Sequence, residues 1–572
     1  MAKIVSIRLP LLLFIAFCMM SHVSRAQEPG EARKKKKVEI LHTDIMRSED
    51  DFRRLLGNVS LLHNEMYMYC DSAHYFERAD LVKAYGNVHI QKGDTLHIYG
   101  EYLIYDSARE NAEMSDSVIL VDKETTLYTD HIFYDIKAER AEYTTGGRII
   151  NEENVLTSII GKYFSESEVF HFKDSVKLVN PDYTMYSDTL IYDTKTEIAY
   201  FMGPSEVIGD SLYARCKTGW YDTRNEKSLL LDSARVDNKV QIVTGDSLYY
   251  ENDTGFGTAF YDVTITDRDR EIIVKGNKSW YYKEPERFLM TDSAQFIQTR
   301  DNDFLFLHAD TLWSVTQSYN LPRAEISNDT LARPEITEDI AAIANQDTSI
   351  TYRLLRAFNG CRIFSEDMQA KCDSLSYSFR DSVIRMYYEP VIWSDENQLT
   401  ADSMQLFTRN QEMSELKLYN NSFVIEEIDT SRYQQIKGKN LTGYFRDNSL
   451  YKIEVSGNGE SIYFAIEEGE LIGVNQATCA KMDIYLEEGK IQEIYFLNNP
   501  DGSLDPPLHI APGSRRLENF RWLEEFRPAD RWDIFRKSPR PTNRTQVLNK
   551  EIPENFDKGK NRVKNAAIKQ EN

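Results

Sequence analysis

The side chains that could do chemistry in this chain are mainly carboxylates. The sequence holds 91 Asp and Glu but only 10 His, and the histidines are scattered. It contains no GxxxxGK[ST] phosphate loop, no HExxH zinc motif and no GxSxG nucleophile elbow. Paired carboxylates can catalyse in the cleft of a repetitive β-protein, but a catalytic site usually interrupts its repeat with a cluster of unlike polar groups. We identify no such cluster, so the sequence predicts no enzyme, no metal site and no cofactor.

Many aspartates instead begin a short repeated phrase, Asp-Ser/Thr-Leu-x-Tyr. Clear copies start at Asp71, Asp130, Asp188, Asp246, Asp310 and Asp373. Weaker copies start at Glu101, Lys162, Lys217, Lys278, Asp402, Lys439 and Lys481. The phrase recurs about every 30 residues, and a period of this length indicates a solenoid or a stacked array. The first Asp of each phrase is predicted to cap a turn by accepting hydrogen bonds from backbone amides.

The elements that carry these residues are predicted to be β-strands. The third and fifth residues of the phrase are apolar or aromatic with few exceptions, as in Leu190 and Tyr192, which is the period-two alternation of a strand with one buried face. A second alternating strand follows in each repeat, as in Val176 and Leu178. We therefore expect an all-β fold in which two-strand repeats stack into two long antiparallel sheets around an apolar interior.

That interior suggests a function, because burying each methylene of an acyl chain contributes about 0.8 kcal/mol. The alternative is that the same residues only pack on one another as a core. The candidate lipid-lining residues are Val88, Ile90, Leu103, Tyr105, Val118, Leu120, Ile132, Tyr134, Val176, Leu178, Leu190, Tyr192, Leu248, Tyr250, Val263, Ile265, Leu375 and Tyr377.

The N-terminus has the pattern of a signal peptide over residues 1–26. Lys3 and Arg8 lead into an apolar run over residues 9–20, and small residues precede a cleavage site after Ala26. A membrane anchor is the alternative, although the run is short for one. The sequence therefore predicts export.

Five cysteines remain after the signal peptide: Cys70, Cys216, Cys361, Cys372 and Cys479. Three of them, Cys70, Cys216 and Cys372, precede the repeat phrase directly, which favours a small residue at a tight strand corner. The set is odd and has no CxxC spacing, so a disulfide is compatible with export but is not implied.

The remaining chain divides by composition. Residues 27–37 form a basic linker, either simply solvated or attracted to anionic lipid headgroups. A first block of repeats is predicted over 38–315 and a second over 351–498. Between them, 316–350 breaks the pattern and is predicted to be an irregular loop or hinge.

Residues 499–572 are predicted to hold a Pro/Gly break, an amphipathic helix over 515–527 and a disordered basic tail. The helix presents Leu517, Phe520 and Leu523 on one face. It could cap the last strand edge or dock onto a partner. The net charge of the whole chain is −23, and the acidic repeats argue against a nucleic-acid partner.

The repeat grammar resembles the OstA-like family, which includes LptA, LptC and the N-terminal domain of LptD. The matching features are the phrases above, second strands such as Gly86-Asn87-Val88-His89-Ile90, and the stretch from Trp393 to Asp402, which is similar to large OstA-like proteins of Bacteroidota-type bacteria. The resemblance covers residues 38–498. It implies an open β-jellyroll, or β-taco, that carries lipopolysaccharide through the periplasm.

The resemblance also implies partners. Members of the family join end to end by edge-strand addition, so we expect other Lpt proteins, lipopolysaccharide and the outer membrane as partners. This chain is two to three times the length of an LptA, which favours a bridge. The alternative function is a non-catalytic structural or adhesive β-solenoid of the cell surface.

Overall fold

The computed structural model describes residues 37–299, 304–320, 349–409, 412–467, 470–487, 489–506 and 515–536. These residues fall into two compact units, unit 1 up to Ala259 and unit 2 from Phe260 onward. The predicted signal peptide, most of the basic linker and the tail after Arg536 lie outside the described residues. Each unit is described by itself.

Unit 1 consists of antiparallel strands. They are β1 Glu39–His42, β2 Ile45–Ser48, β3 Arg53–His63, β4 Met66–Phe76, β5 Leu81–Lys92, β6 Leu96–Asp106, β7 Asn111–Asp122, β8 Thr125–Asp135, β9 Arg140–Tyr143, β10 Gly147–Asn151, β11 Asn154–Ser158, β12 Ile160–Phe164, β13 Val169–Val179, β14 Tyr183–Asp193, β15 Ile198–Gly209, β16 Tyr213–Asp222, β17 Lys227–Asp237 and β18 Gln241–Glu251. Strand β19, Phe256–Asp267, spans the division between the units.

Unit 2 continues the same architecture. Its strands are β20 Ile272–Tyr282, β21 Arg287–Thr299, β22 Phe304–Asn320, β23 Ser349–Phe364, β24 Gln369–Ser378, β25 Val383–Tyr387, β26 Val391–Ser394, β27 Asn397–Thr400, β28 Ser403–Arg409, β29 Glu412–Glu427, β30 Tyr433–Arg446, β31 Ser449–Glu467, β32 Glu470–Glu487, β33 Lys490–Leu497 and β34 Asp501–Asp505. The prediction of an all-β, antiparallel fold is confirmed.

The strands are longer than the sequence suggested, because most of them bend instead of ending. In β13, Asp174 and Ser175 both have left-handed backbone, with φ of 62° and 56°, and the register with β14 shifts between Lys173 and Val176. A bulge of this kind bends a strand and increases its twist. We call such a mid-strand bulge a corner. Each bent strand contributes one half to each of two facing layers, whereas the repeat had predicted a separate strand for each layer.

Residue type explains where the corners fall. Asp, Asn and Gly tolerate the left-handed region better than other residues. The corners recur at Gly57-Asn58, Gly86-Asn87, Asp116-Ser117, Asp174-Ser175, Asp232-Ser233, Asp292-Ser293, Asn359-Gly360, Asn420-Asn421 and Gly457-Asn458. Apolar residues from both sides of a corner, such as Leu55 and Leu61 around Gly57-Asn58, belong to one packed cluster, so the two halves share an interior.

The first Asp of the repeated phrase was predicted to cap a turn. Where its side-chain hydrogen bonds are described, it does not, so this prediction is wrong. Asp71 faces the neighbouring corner, where Asn87 Nδ2 donates a hydrogen bond to its Oδ2 at 2.8 Å. The turn is capped instead by the Asp that follows the phrase tyrosine. Asp193 Oδ1, for example, accepts from the backbone N–H of Lys195 and of Thr196, both at 3.0 Å.

One repeat in each unit departs from this pattern, since short strands replace the bent ones. In unit 1, β9 to β12 are each four or five residues long, with breaks at residues 144–146 and at Ile159. In unit 2, β25 to β28 are similarly split, around residues 388–390 and 401–402. The continuous strands β8 and β13 flank the split repeat of unit 1 and keep its pairing in register.

Two boundaries differ from the prediction. Strand β22 continues to Asn320 and β23 begins at Ser349, paired in register, so both ends of the predicted 316–350 loop are strand. Residues 321–348 lie outside the described residues. The second block likewise extends past residue 498, because β34 pairs with β32.

The predicted helix over 515–527 is wrong. The described residues 515–536 contain no α-helix: they are irregular, with a turn at residues 518–519 and 3-10 turns at Glu524–Phe526 and Asp533–Phe535. The physical reason is that side chains of the underlying sheet bind the backbone groups that a helix would use internally. The spacing of the apolar residues was compatible with both conformations.

Candidate functional site

The interior of unit 1 contains an apolar cavity of about 90 Å³ at the split repeat. It lies where two packed clusters of core residues meet, with Leu127 contacting both clusters. The residues that line it are Leu96, Leu120, Asp122, Thr125, Leu127, Ile132, Ala141, Glu142, Tyr143, Ile149, Gly161, Lys162, Tyr163, Phe170 and Phe172. Strands on both sides of the breaks at residues 144–146 and Ile159 therefore contribute to it.

Tyr143 forms the wall of the cavity at the break between β9 and β10. Its ring occupies the space that side chains would need at two glycines, because a Cβ on Gly147 or Gly161 would lie 2.4 or 2.3 Å from ring atoms. The Tyr143 hydroxyl is hydrogen-bonded to Ser158 Oγ at 2.7 Å, and that hydroxyl donates in turn to Ile160 O at 3.0 Å. The glycines thus let a large aromatic ring fill the gap left by the missing corner.

Two basic side chains at the rim of the cavity share one carboxylate. Lys162 Nζ lies 3.4 Å from Glu142 Oε2, and Arg140 Nε lies 3.7 Å from the same oxygen. Burial raises the pKa of Tyr143 to about 12, so its hydroxyl stays protonated at physiological pH. This arrangement suits an apolar ligand next to a charged rim.

Of the eighteen candidate lipid-lining residues, thirteen are buried and five are half-buried. The half-buried ones are Leu120, Tyr134, Tyr250, Ile265 and Tyr377. Only Leu120 and Ile132 line the cavity. Val88, Ile90, Leu103, Tyr105 and Val118 pack in one core cluster of unit 1, and Val176, Leu178, Leu190 and Tyr192 pack in the other. A lipid-lining role for these residues stays a prediction.

Sequence reasoning missed most of the cavity wall, including Tyr143, Tyr163, Phe170 and Phe172. One signal was present in the glycines at 146, 147 and 161. Another was the spacing of the repeat, because the weak copy at Lys162 lies off-centre between Asp130 and Asp188, closer to the second.

The interior of unit 2 is more polar at the end of the split strands. Ser394, Asn397, Glu426 and Gln434 are buried register partners across β26, β27, β29 and β30. Asn397 Nδ2 donates to the carbonyl of Gly489 at 2.7 Å, and Glu426 Oε2 accepts from the Ile491 N–H at 3.4 Å. An acyl chain placed here would displace or bury hydrogen-bonding groups, which is unfavourable.

Other functional sites find little support in the part of the chain that the structure describes. No group of three His, Cys, Asp or Glu side chains there could hold a metal ion. All five described cysteines are buried free thiols. None of the described helical segments is long and apolar enough to cross a membrane.

One family model matches part of the chain. Residues 35–188 match the model of the family described as OstA-like protein. We call residues 35–188 the OstA-like region. All the residues that line the cavity lie inside this OstA-like region, since they fall between Leu96 and Phe172.

A solved structure is similar to a smaller part of the chain. It is LptH from Pseudomonas aeruginosa, described as the LptA-homologous periplasmic component of the lipopolysaccharide transport device. The match has 14% sequence identity and a TM-score of 0.17, and it covers 18% of this chain and 79% of LptH. No curated protein sequence matches the chain.

Proposed function

We propose that this chain is a non-catalytic periplasmic carrier of lipopolysaccharide-type lipids, and that acyl chains enter unit 1 at the cavity of the OstA-like region. The observation that carries the proposal is the position of this apolar cavity, inside the region that matches the family and at the break in its strand pattern. Export of the chain and association with the outer membrane belong to the same proposal.

The size of the cavity constrains how a lipid could bind. A volume of about 90 Å³ corresponds to roughly three water-sized groups. The end of an acyl chain fits, but a longer stretch requires side chains such as Leu120 and Ile132 to move. A fully buried 14-carbon chain contributes on the order of 10 kcal/mol, which can offset such rearrangement. The proposal therefore predicts a groove that widens as lipid enters.

The test is in-cell photocrosslinking from a probe at Ile132, which faces the cavity. Asp130 is the matched control, because it lies two residues away on β8 and is exposed. Ile436 is a second control, since it is buried in the interior of unit 2. We expect a lipopolysaccharide adduct at Ile132 alone. Folded, exported protein with no adduct at Ile132 would instead indicate a closed core and favour the structural solenoid.

Edge-strand addition is the proposed mode of assembly with other Lpt proteins. At the first edge of unit 1, the short strands β1 and β2 both pair with β3 and expose Leu41, Ile45 and Met46. Exposed backbone on a short apolar edge can accept a strand from a partner. The variant Ile45→Lys should reduce co-purification of such a partner, whereas Lys83→Glu, within the sheet, should leave it unchanged.

A further inference from the structure

Residues 515–536, which we call the strap, cross the sheet of unit 2 instead of joining it. Following the strap from its N-terminal end, its contacts move from Gln435 on β30 to Gln398 on β27, then to Arg362 on β23 and His308 on β22. The described strap contains short turns but no strand. It is therefore attached through side chains of the sheet and not through strand pairing.

The first attachment is a glutamine clamp at Gln435. Its Nε2 donates to the carbonyl of Arg515 at 2.8 Å, and its Oε1 accepts from the Leu517 N–H at 2.8 Å. Gln435 is 1% exposed, so both bonds are shielded from water. The amide of Gln435 thus reproduces the two hydrogen bonds of a backbone bridge.

The second clamp repeats this geometry at Gln398, which is fully buried. Its Nε2 donates to the carbonyl of Arg521 at 2.7 Å, and its Oε1 accepts from the Leu523 N–H at 2.6 Å. The two pairs of strap residues are six positions apart. Because both clamps bind main-chain groups, they recognise the backbone and not particular side chains.

Aromatic packing supplies the side-chain recognition between the clamps. The ring of Tyr433 lies 5.2 Å from that of Phe520 and 5.3 Å from that of Trp522. Phe423 and Ile425 complete the apolar surface beneath these strap residues. Farther along, Lys371 Nζ lies 4.0 Å from the centre of the Phe526 ring.

The surface under the strap is built as a row across the strands. Gln369, Trp393, Gln398, Ile425, Gln435 and Ile462 are successive register partners. Glutamine and apolar residues alternate along this row, and Gln369 Oε1 also accepts from Arg527 Nε at 2.8 Å. The row therefore places a glutamine that hydrogen-bonds to the strap at every second strand.

The corresponding face of unit 1 has a different composition. Counting from the corners, Gln91 occupies the position of Ile425, since each is the fourth residue after the corner asparagine. The cross-strand row through Gln91 continues to Tyr67 and His97, so it holds no pair of glutamines flanking an apolar residue. The clamp pattern thus distinguishes the unit 2 face from its counterpart.

We propose that this face of unit 2 is a peptide-binding site whose ligand is the strap itself, a separable segment and not a layer of the core. The strands beneath it pair fully with one another through their own backbone, so their hydrogen bonding does not need the strap. The site takes a peptide that turns between the two clamps and carries two aromatic residues two positions apart. The inference is independent of lipid binding.

The experiment uses the full-length chain with a specific protease site inserted between Pro506 and Arg515. After cleavage, a fluorescent synthetic peptide of residues 515–536 is added in excess, and its exchange with the cleaved strap is followed by anisotropy. We expect saturable binding at one site per chain, with unchanged far-UV circular dichroism. Loss of β-structure on cleavage, or a folded chain that never exchanges, would show that the strap is integral and would overturn the proposal.

Substitutions separate the clamps from general packing. Gln435→Ala and Gln398→Ala should each weaken peptide binding about tenfold or more, because each removes two shielded hydrogen bonds. Gln434→Ala is the matched control, since Gln434 is a buried neighbour on β30 whose amide makes two bonds to Phe464 of β31. Equal effects of Gln434→Ala and Gln435→Ala on peptide affinity would refute the clamp mechanism.

Discussion

Replacing Tyr143 with alanine should enlarge the cavity of unit 1. The thermal stability of the variant should then depend on whether an apolar ligand fills the cavity. The ring of Tyr143 is buried, forms one wall of the cavity and blocks the gap beside Gly147 and Gly161. Truncation of a buried aromatic residue typically costs about 3–5 kcal/mol, because contacts are lost and a void remains. The variant should therefore fold with reduced stability and with a larger apolar space joined to the existing one.

An acyl ligand should recover much of this loss. Each buried methylene contributes about 0.8 kcal/mol, so four methylenes of a fatty acid supply about 3 kcal/mol. At about 2–4 °C per kcal/mol for a unit of this size, dodecanoate should raise the unfolding temperature of Tyr143→Ala by several degrees more than that of the wild type. Tyr143→Phe should lose about 1 kcal/mol with its hydrogen bond to Ser158 and show no such gain.

The assay is thermal unfolding followed by circular dichroism, with and without dodecanoate. Tyr192→Ala is the matched control. Tyr192 is as buried as Tyr143 and packs in the same core cluster as Tyr163 and Phe170, but it does not line the cavity. It should lose comparable stability and gain little from the ligand. An equal ligand effect on all variants, or none on Tyr143→Ala, would refute the cavity as an acyl site.

Three further predictions concern the framework. Cys361 and Cys372 are free thiols in the structure but are register partners on β23 and β24, so an added oxidant should join them in a disulfide, detected by peptide mapping and absent from Cys361→Ser. Burial raises the pKa of Glu426 above its ordinary value of 4.5, so the folded state holds a proton more tightly than the unfolded state and this group lowers stability as pH rises past 4.5. Glu426→Gln should therefore stabilise the protein at pH 8 and less at pH 5 in urea titrations. Gly203→Ala should cost about 1 kcal/mol or more, since φ is 90° there and a Cβ would lie 2.7 Å from Asp188 Cβ.

Each of these predictions has a clear contradiction. Five alkylatable thiols in the denatured protein after treatment with the oxidant would exclude the disulfide. If the free energies of unfolding of Glu426→Gln and the wild type change in parallel with pH, burial of the Glu426 carboxylate does not destabilise the folded state. Full tolerance of alanine at Gly203 would show that the register shift between Met202 and Ser205 on β15 does not depend on left-handed backbone at this position.

The repeat was readable because alternation and period are local properties. Leu190 and Tyr192 face the interior as predicted, and the Asp-Ser and Gly-Asn pairs mark the corners. The bend within each strand could not be predicted from the sequence, because the two residues of a corner are also typical of an ordinary turn between separate strands. Only the register of the neighbouring strand shows that the chain continues through them.

The strap was misread for a different physical reason. Its apolar residues Leu517, Phe520 and Leu523 fit a helical face, but Phe520 and Trp522 both pack on the same cluster, which an extended chain permits. The deciding interaction comes from Gln398 and Gln435, which lie far earlier in the sequence on β27 and β30. No local pattern within the segment could reveal that its backbone has partners in the sheet.

The cavity, finally, arises from an interruption of the repeat and not from the repeat itself. Bent strands pack their two halves closely around a corner, so regular repeats produce a filled core such as that around Leu103 and Tyr105. At the split repeat the corner is replaced by breaks at residues 144–146 and at Ile159, and Tyr143 fills the gap beside Gly147 and Gly161 only in part. A site in a repetitive protein is therefore best sought where the period is disturbed. Here that disturbance was the off-centre position of the weak copy at Lys162, between the clear copies at Asp130 and Asp188.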